Sequence, residues 1–478
     1  MELLKFKPEQ KAQLFLLPLS VDEFIPENHL ARVIDSIVDK LDCNSIEEKY
    51  SYLGQKSYHP KMMIKLWIYS YCTGTFSGRK IDAKCETDTA YMFLASMYRP
   101  DFRTINDFRK DNIAFFNKIF LDVLKICRQL GMAQVGTIAI DGTKIRCNAA
   151  AKRSKDKESY EKWKSNIEKD LEKLHKQADE INAREDKQLG KKRGDELDRK
   201  IRGKEKLKHT IEKVLEKYER GEKAVKEKIN LTDNDAQLMK SKGRIDTNYN
   251  CQGSVSMDGI IVAQYVETIA NDKEQLLPMV EQVESNTNEK PENILADSGY
   301  ASYDSYEKIA EQNITAYMPD QEYENREEKQ KDLFDRSNFA YDARKDCYIC
   351  PQEKILHYAN DYIVEERKQK SRVYICKECT ACPIKSQCTK SKHRSIYREY
   401  REPLREQARQ RLDSPEGKKI YRQRMCTIEP TWDNIKFNRK FQMFSLRGNS
   451  KVTGEFSIMC TANNILKIYQ KKIKKEAA

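Results

Sequence analysis

The sequence predicts a mixed chain of the α+β or α/β class: a helical N-terminal domain, then a mixed sheet with helices, interrupted by a helical-hairpin insertion and by a cysteine-rich one. Three observations predict it. Apolar residues hold helical spacing through residues 1–130. Two later stretches, IAIDGTKI at 138–145 and NILADSGY at 293–300, each deliver one aspartate at the end of a short β-forming run, just ahead of a glycine. Between and after them the composition changes twice, to a run of Lys, Glu, Arg and Asp over 152–228 and to a segment with six cysteines over 347–388. The expected boundaries are 1–130 for the helical domain, 131–149 with 229–319 for the sheet core, and 150–228 for the charged hairpin. The cysteine-rich insertion is expected over 320–411, and 412–478 returns to the core and ends in a basic tail.

In the helical domain Leu30, Val33, Ile34, Ile37 and Val38 form one stripe, with Pro26 and Asn28 ahead of it as a start signal. A second helix is predicted over Pro60–Cys72, because a proline in the first turn gives up only an N–H that has no helical partner. Met62, Met63, Leu66, Trp67 and Tyr71 read as its core face. Arg79, Lys80, Arg99, Arg103, Arg109 and Lys110 then supply cations suited to phosphates. His29 and His59 read as structural, since neither has a second ligand-type residue at helical spacing.

The strand expected before Asp141 ends there, with a turn at Gly142. A buried carboxylate costs on the order of several kcal/mol unless it is paired or holds a cation. Asp297 repeats the arrangement before Gly299, and two strand-end acids in one chain point to a shared metal site. In the charged run, Trp163, Ile167, Leu171, Leu174, Ala178 and Ile181 keep a coiled-coil seam, and Leu207, Ile211, Val214 and Tyr218 do so again, with Gly190, Gly194 and Gly203 between. This predicts a hairpin closed on itself or, alternatively, a dimerisation arm; its charges are mixed in sign, so it is not read as a DNA-binding arm. The sheet resumes with strands near 249–257 and 260–268 joined by the turn pair Asp258-Gly259. Asn271 and Asp272 open a helix containing Leu276, Leu277, Met279 and Val280, and the strand to Asp297 follows.

Clustered cysteines in a chain without an export signal favour metal over disulfides. Here the spacing is CxxC, a gap, then CxxCxxC with a last cysteine six residues on. Four thiolates satisfy one tetrahedral zinc, so the expected structural Zn²⁺ ligands are Cys350, Cys379, Cys382 and Cys388, with Cys347 and Cys376 in reserve. Farther on, 418–436 reads as a helix carrying Tyr421, Arg424, Glu429 and Lys436; Pro430 either kinks it or lies in the first turn of a helix starting near Thr427. A last helix is expected from Lys467.

Composition limits the function classes. With 39% hydrophobic residues in 478, the chain can bury a sizeable core. No run approaches the roughly 18–20 apolar residues of a membrane span, and MELLKFKPEQ lacks a signal peptide's apolar centre, so a soluble cytoplasmic protein with no membrane partner is expected. The net charge of +13 suits a polyanion, and basic residues recur beside aromatic ones at 99–103, 397–400 and 437–444. There is no GxxxxGK[ST] loop for a nucleotide, and the six histidines fall away from the strand-end acids, which leaves a Ser/His/Asp or Cys/His hydrolase unsupported.

Together these residues resemble the DDE-class transposases of bacterial insertion sequences, in the branch whose last acid lies in a Tyr, Arg, Glu, Lys signature, here Tyr421, Arg424, Glu429 and Lys436. The similarity extends to YHPKMMIKLWIYSYCTGTFSGRKI, to RPDFRTINDFRKDN and to NYNCQG. It departs at one point: the older signature has three residues between Arg and Glu, whereas four separate Arg424 from Glu429. The resemblance implies a ribonuclease H-like core with the first two acids on adjacent strands, and an enzyme that cuts at insertion-sequence ends and joins them to target DNA. Asp141, Asp297 and Glu429 are then the catalytic acids, with Glu455 as the rival third. The cations of the N-terminal domain, Arg103 and Arg109 among them, would bind DNA, as would Tyr421, Arg424 and Lys436. In-line phosphoryl transfer builds charge on attacking and leaving oxygens, which two Mg²⁺ (or Mn²⁺) ions about 3.5–4 Å apart stabilise. Asp141 would bridge both ions, Asp297 hold one and Glu429 the other. The implied partners are double-stranded DNA, as terminal inverted repeats and target, and a second copy of the chain in a homodimer; the implied location is the nucleoid. The alternative reading is a zinc-containing DNA-binding regulatory protein on a catalytically inactive nuclease fold, and a third is a nuclease that cuts without joining.

Overall fold

The structure is a computed structural model that describes residues 20–50, 56–185, 194–241, 243–325, 332–365 and 369–476. Gly190 and the side chain of Ile181 lie outside the described residues. The chain divides into two compact units. One lies within Met1–Ile126, Phe437–Phe441 and Gly454–Ala478, the other within Cys127–Lys436 and Gln442–Thr453.

The first unit is helical. Its helices include Leu30–Asp39, Pro60–Cys72, Gly78–Thr87 and Phe102–Asp111. His29 and His59 act as N-caps, their Nδ1 atoms accepting from the backbone N–H of Ala31 and Lys61 at 3.2 Å, which satisfies donors that the first turn leaves open. The expected stripe of Leu30, Val33, Ile34, Ile37 and Val38 is buried. The terminal helix is longer than expected: it runs Asn449–Glu476 and from Gly454 onward belongs to this unit, where a Cβ at Gly454 would stand 2.5 Å from Ile113.

Arg109 does not lie on a solvent face. It is 4% exposed, its guanidinium is 4.1 Å from the Trp67 ring centroid, and it donates to the Tyr71 hydroxyl at 2.9 Å. Glu455, fully buried, accepts from the same hydroxyl at 2.9 Å and stands 3.6 Å from Arg109. Ile105, Phe108 and Arg109 share one buried helix face, so the arginine is spent on balancing a core carboxylate.

In the second unit the strands are, in order, β1 (Thr137–Arg146), β2 (Ser154–Lys155), β3 (Ile229–Asn230), β4 (Gln237–Ser241), β5 (Arg244–Ser256), β6 (Ile261–Glu267), β7 (Asn293–Leu295) and β8 (Thr315–Tyr317). The sheet runs β4-β5-β1-β7-β8, with β6 also paired to β5; β1 is antiparallel to β5 and parallel to β7, and β7 is parallel to β8. This mixed α/β arrangement is compatible with the expected ribonuclease H-like core. β1 does not end at Asp141: it continues to Arg146, with Gly142 paired to Gln252 inside it. A Cβ at Gly142 would come 2.6 Å from the Gln252 amide, so this glycine serves close packing within a strand and makes no turn.

Between β1 and β5 two long helices, Lys157–Glu185 and Gly194–Glu219, pack along the expected seam: Ile167, Leu171, Ile211, Val214 and Tyr218 are buried together, with Trp163, Leu174, Ala178 and Leu207 against them. β2 and β3 pair at their base. The helix after β6 starts at Leu276, later than expected, because Asp272 turns its carboxylate to Asn250 and Gln252 instead of capping. β9 (Ala340–Asp342), β10 (Cys347–Ile349), β11 (Ile355–Val364), β12 (Gln369–Ile375) and β13 (Ser395–Glu399) form a separate antiparallel sheet.

The Tyr421–Glu429 segment lies in the helix Pro415–Asp433, which runs through Pro430 and passes into a π turn at Asn434–Asn438. The Thr427 hydroxyl donates to the Gln423 carbonyl at 2.7 Å and the Thr431 hydroxyl to the Thr427 carbonyl at 2.9 Å, back-bonds of the kind that bend a helix, on either side of the missing proline N–H. Trp432 seats this helix on β5 against Gly253, where a Cβ would stand 2.6 Å from the indole.

Candidate active site

The parallel pairing of Ala139 with Leu295 carries both strands toward one edge, where Asp141 and Asp297 each come two residues later. Asp297 caps the short turn Ser298–Tyr300, accepting from the Gly299 N–H at 2.9 Å. The helix Pro415–Asp433 brings Glu429 and Arg424 to the same edge. The Arg424 guanidinium then meets all three acids: 3.3 Å to Asp141, 3.7 Å to Asp297 and 3.1 Å to Glu429. Glu455 is instead paired inside the first unit with Tyr71 and Arg109.

Burial pushes the Asp141 carboxyl up to about 7; Arg424 opposes this, while Asp297 and Asp272 add to it. Asp297 is raised by burial too, again opposed by Arg424. Burial pulls the Arg424 guanidinium down, but Asp141 and Asp297 more than offset it, so it stays charged. Burial also lifts the Tyr421 hydroxyl to about 12. Lys436 is part-buried in the π turn, and its charge acts on Cys251 of β5.

A fourth acid stands here that the sequence reading missed. Asp272 accepts from the amides of Asn250 and Gln252, each at 2.7 Å, and its other oxygen lies 3.6 Å from where a Gly299 Cβ would be. The Gln252 side-chain amide oxygen, Oε1, in turn accepts from the Tyr300 hydroxyl. The available signal was the alternation of amides in NYNCQG, which puts two donors on one face of a strand.

Among the described residues no group of three or more His, Cys, Asp or Glu stands at metal-holding spacing. In the acid cluster Arg424 occupies the point on which the carboxylates converge. The donor set of the cluster is nonetheless all carboxylate, the hard-oxygen chemistry that suits Mg²⁺ or Mn²⁺.

The cysteines gather elsewhere. Cys350, Cys376, Cys379, Cys382 and Cys388 line one cavity with Phe334 and Phe339, whereas Cys347 is buried in β10 opposite His357 and does not line it. Burial and the neighbouring Cys379 lift the Cys376 thiol to about 12. Arg103, on the first unit, is exposed, and with Arg79 it flanks the Phe102 ring at 5.7 and 4.9 Å.

Two families match this chain: residues 349–469 match the Transposase DDE domain, and residues 19–111 match the Transposase domain (DUF772). They indicate an insertion-sequence transposase of the DDE class. No curated protein and no solved structure matches it. The first match holds Tyr421, Arg424, Glu429, Lys436 and the five cavity cysteines, and the second holds Arg103 and Arg109; Asp141 and Asp297 fall outside both. No helix among the described residues is long and apolar enough to cross a membrane.

Proposed function

We propose that this transposase cuts DNA strands at the ends of its element and joins them to target DNA by metal-dependent phosphoryl transfer at Asp141, Asp297 and Glu429. The observation that carries the reading is the convergence of three carboxylates, one from within β1, one from the turn after β7 and one from a helix, on the guanidinium of Arg424. Two Mg²⁺ or Mn²⁺ ions held by these acids would stabilise the attacking and leaving oxygens of an in-line displacement. Arg424 keeps the carboxylates gathered against their mutual repulsion and can offer the same charge to a phosphate. The Tyr421 hydroxyl, lifted to about 12, keeps its proton at neutral pH and acts as a hydrogen-bond donor to the strand, not as a nucleophile. Lys436 lies twelve residues beyond Arg424 in sequence and adds a second cation for phosphate. Arg103 with Arg79 serves duplex binding from the first unit, and Arg109 is withdrawn from that set because its charge is committed to the core.

Four of the five cavity thiols would hold a structural zinc, with Cys376 kept in reserve and Cys347, which does not line the cavity, dropped from it. A homodimer acting on paired ends at the nucleoid rests on the resemblance alone. The test is strand cleavage of a duplex carrying the element's own flanking end, in Mg²⁺ and in EDTA. Asp141→Asn, Asp297→Asn and Glu429→Gln should each abolish metal-dependent cutting while end binding persists. Normal cutting by all three would overturn the assignment, and an end that wild type binds but never cuts would favour the regulatory alternative.

A further inference from the structure

The base of the long helical pair carries a feature that its mixed overall charge conceals. An open cleft there is lined by Lys152, Arg153, Lys155 and Lys162 around the indole of Trp163, and of the described residues lining it none is acidic. Lys152, Arg153 and Lys162 are exposed, and Lys155 stands 5.5 Å from the Trp163 ring centroid. The indole is backed by Tyr160, nearly parallel at 14° with centroids 6.2 Å apart, so it presents a supported flat wall. Two of the cations have partners that a phosphate could displace at little cost: Arg153 donates to the Thr232 hydroxyl at 3.2 Å, and Lys162 pairs with exposed Glu158 at 2.6 Å, a contact worth little in water.

Its place in the chain links it to the acids. β1 spans roughly 17 Å from Asp141 to Arg146 at strand rise, about five base pairs of duplex, and the chain enters the cleft within a few residues of that strand's end. We infer that this cleft is a second DNA-contact site, which takes the phosphates of the duplex flanking the cut and rests a sugar or base on Trp163. This deepens the proposed transposition reading and depends on it for the choice of DNA over another polyanion. Charge complementarity names the occupant: several cations without a lining carboxylate, beside an aromatic wall, match a phosphate backbone.

The experiment is equilibrium binding of a fluorescent duplex carrying the element's end, in EDTA, across a salt series. Lys152→Glu with Lys162→Glu alters two exposed side chains and leaves the helical seam intact. The double variant should bind on the order of tenfold more weakly or worse near physiological salt, and the slope of log affinity against log salt should fall by about 2. Lys169→Glu with Lys173→Glu makes the same charge change at exposed positions outside the cleft on the helix that carries Lys162, and should stay within about twofold of wild type. Unchanged binding by the cleft variant, or equal loss in both variants, would overturn the inference. Asp141→Asn separates the two readings: if it binds as wild type without cutting while the cleft variant binds normally, only the cleft is wrong. If Asp141→Asn cuts normally, the catalytic reading fails and the binding result stands.

Discussion

Asp141 is costly to keep where it is, and the cost has a sign that can be measured. Its folded-state carboxyl is raised to about 7 from an ordinary 3.8, so an unfolded chain ionises it first. Below pH 4 it is neutral in both states and costs nothing. As pH rises from 4 to 7 the unfolded state gains by ionising, and stability is lost until the folded group ionises too; above pH 7 the loss is constant, at up to about 4 kcal/mol. Asp141→Asn in EDTA should therefore leave the denaturation midpoint unchanged near pH 4, raise it progressively toward pH 7, and hold the gain above. A uniform shift at every pH would mean that the acid is not raised by its surroundings. The opposite case is Arg109, where the charge is needed. Arg109→Met takes the guanidinium away from beside the buried Glu455 carboxyl and should cost on the order of 3 kcal/mol in chemical denaturation. These two residues also mark how far sequence reading went. Asp141 was legible because an acid at the end of an apolar run is an anomaly in one dimension. Arg109 was not, because its core role depends on Glu455, 346 positions away, although its place one turn after Ile105 was a usable hint.

Among elements, those set by local pattern were read correctly in kind and less well in extent. The seam of the charged hairpin, the turn at Asp258-Gly259 and the helix at Pro60–Cys72 follow from periodicity and turn chemistry. Extent failed where packing overrode a breaker residue: Gly142 is a packing glycine inside β1, and Pro430 is carried inside a helix whose neighbouring threonine hydroxyls bond backbone carbonyls. A consequence concerns the seating of that helix. At Gly253 a methyl group would strike the Trp432 indole, whose Cη2 and Cζ2 atoms would stand 2.6 and 2.7 Å from it. Gly253→Ala should shift the helix that carries Arg424 and Glu429, costing roughly 1–3 kcal/mol of stability and reducing cleavage more than DNA binding. Trp432→Phe in the same chain should restore part of both, since it shortens the side chain that the methyl meets. No recovery in the double variant would place the defect elsewhere.

For the whole molecule, connectivity decides what can be removed. β1 leads the chain out of the sheet and β3 brings it back, and the two-residue pairing of Ser154 with Asn230 and Lys155 with Ile229 closes a neck below the helical pair. Asn230 strengthens that neck, donating to the Ala150 carbonyl and the Ser154 hydroxyl at 2.9 Å each. Above it, the two helices bury their apolar residues against one another in a core that also takes in Ile229 and Leu231 at the neck, which excision would uncover. Excising 157–227 and joining the ends with a short Gly-Ser linker should therefore leave the sheet folded, because the neck already holds the ends at strand spacing and closing a short loop costs little. Tyr160 is lost with the helices, and the Arg153 and Ile229 carbonyls that it serves return to water rather than staying buried without a donor. The shortened chain should keep a cooperative thermal transition, and the pH-dependent gain from Asp141→Asn should persist in it, reporting that the acid cluster is still assembled. Its DNA affinity should fall with the loss of Lys162 and Trp163 from the cleft. A chain that unfolds on excision would show instead that the helical pair is part of the sheet's own core, and the neck could then not be regarded as a boundary between independent cores.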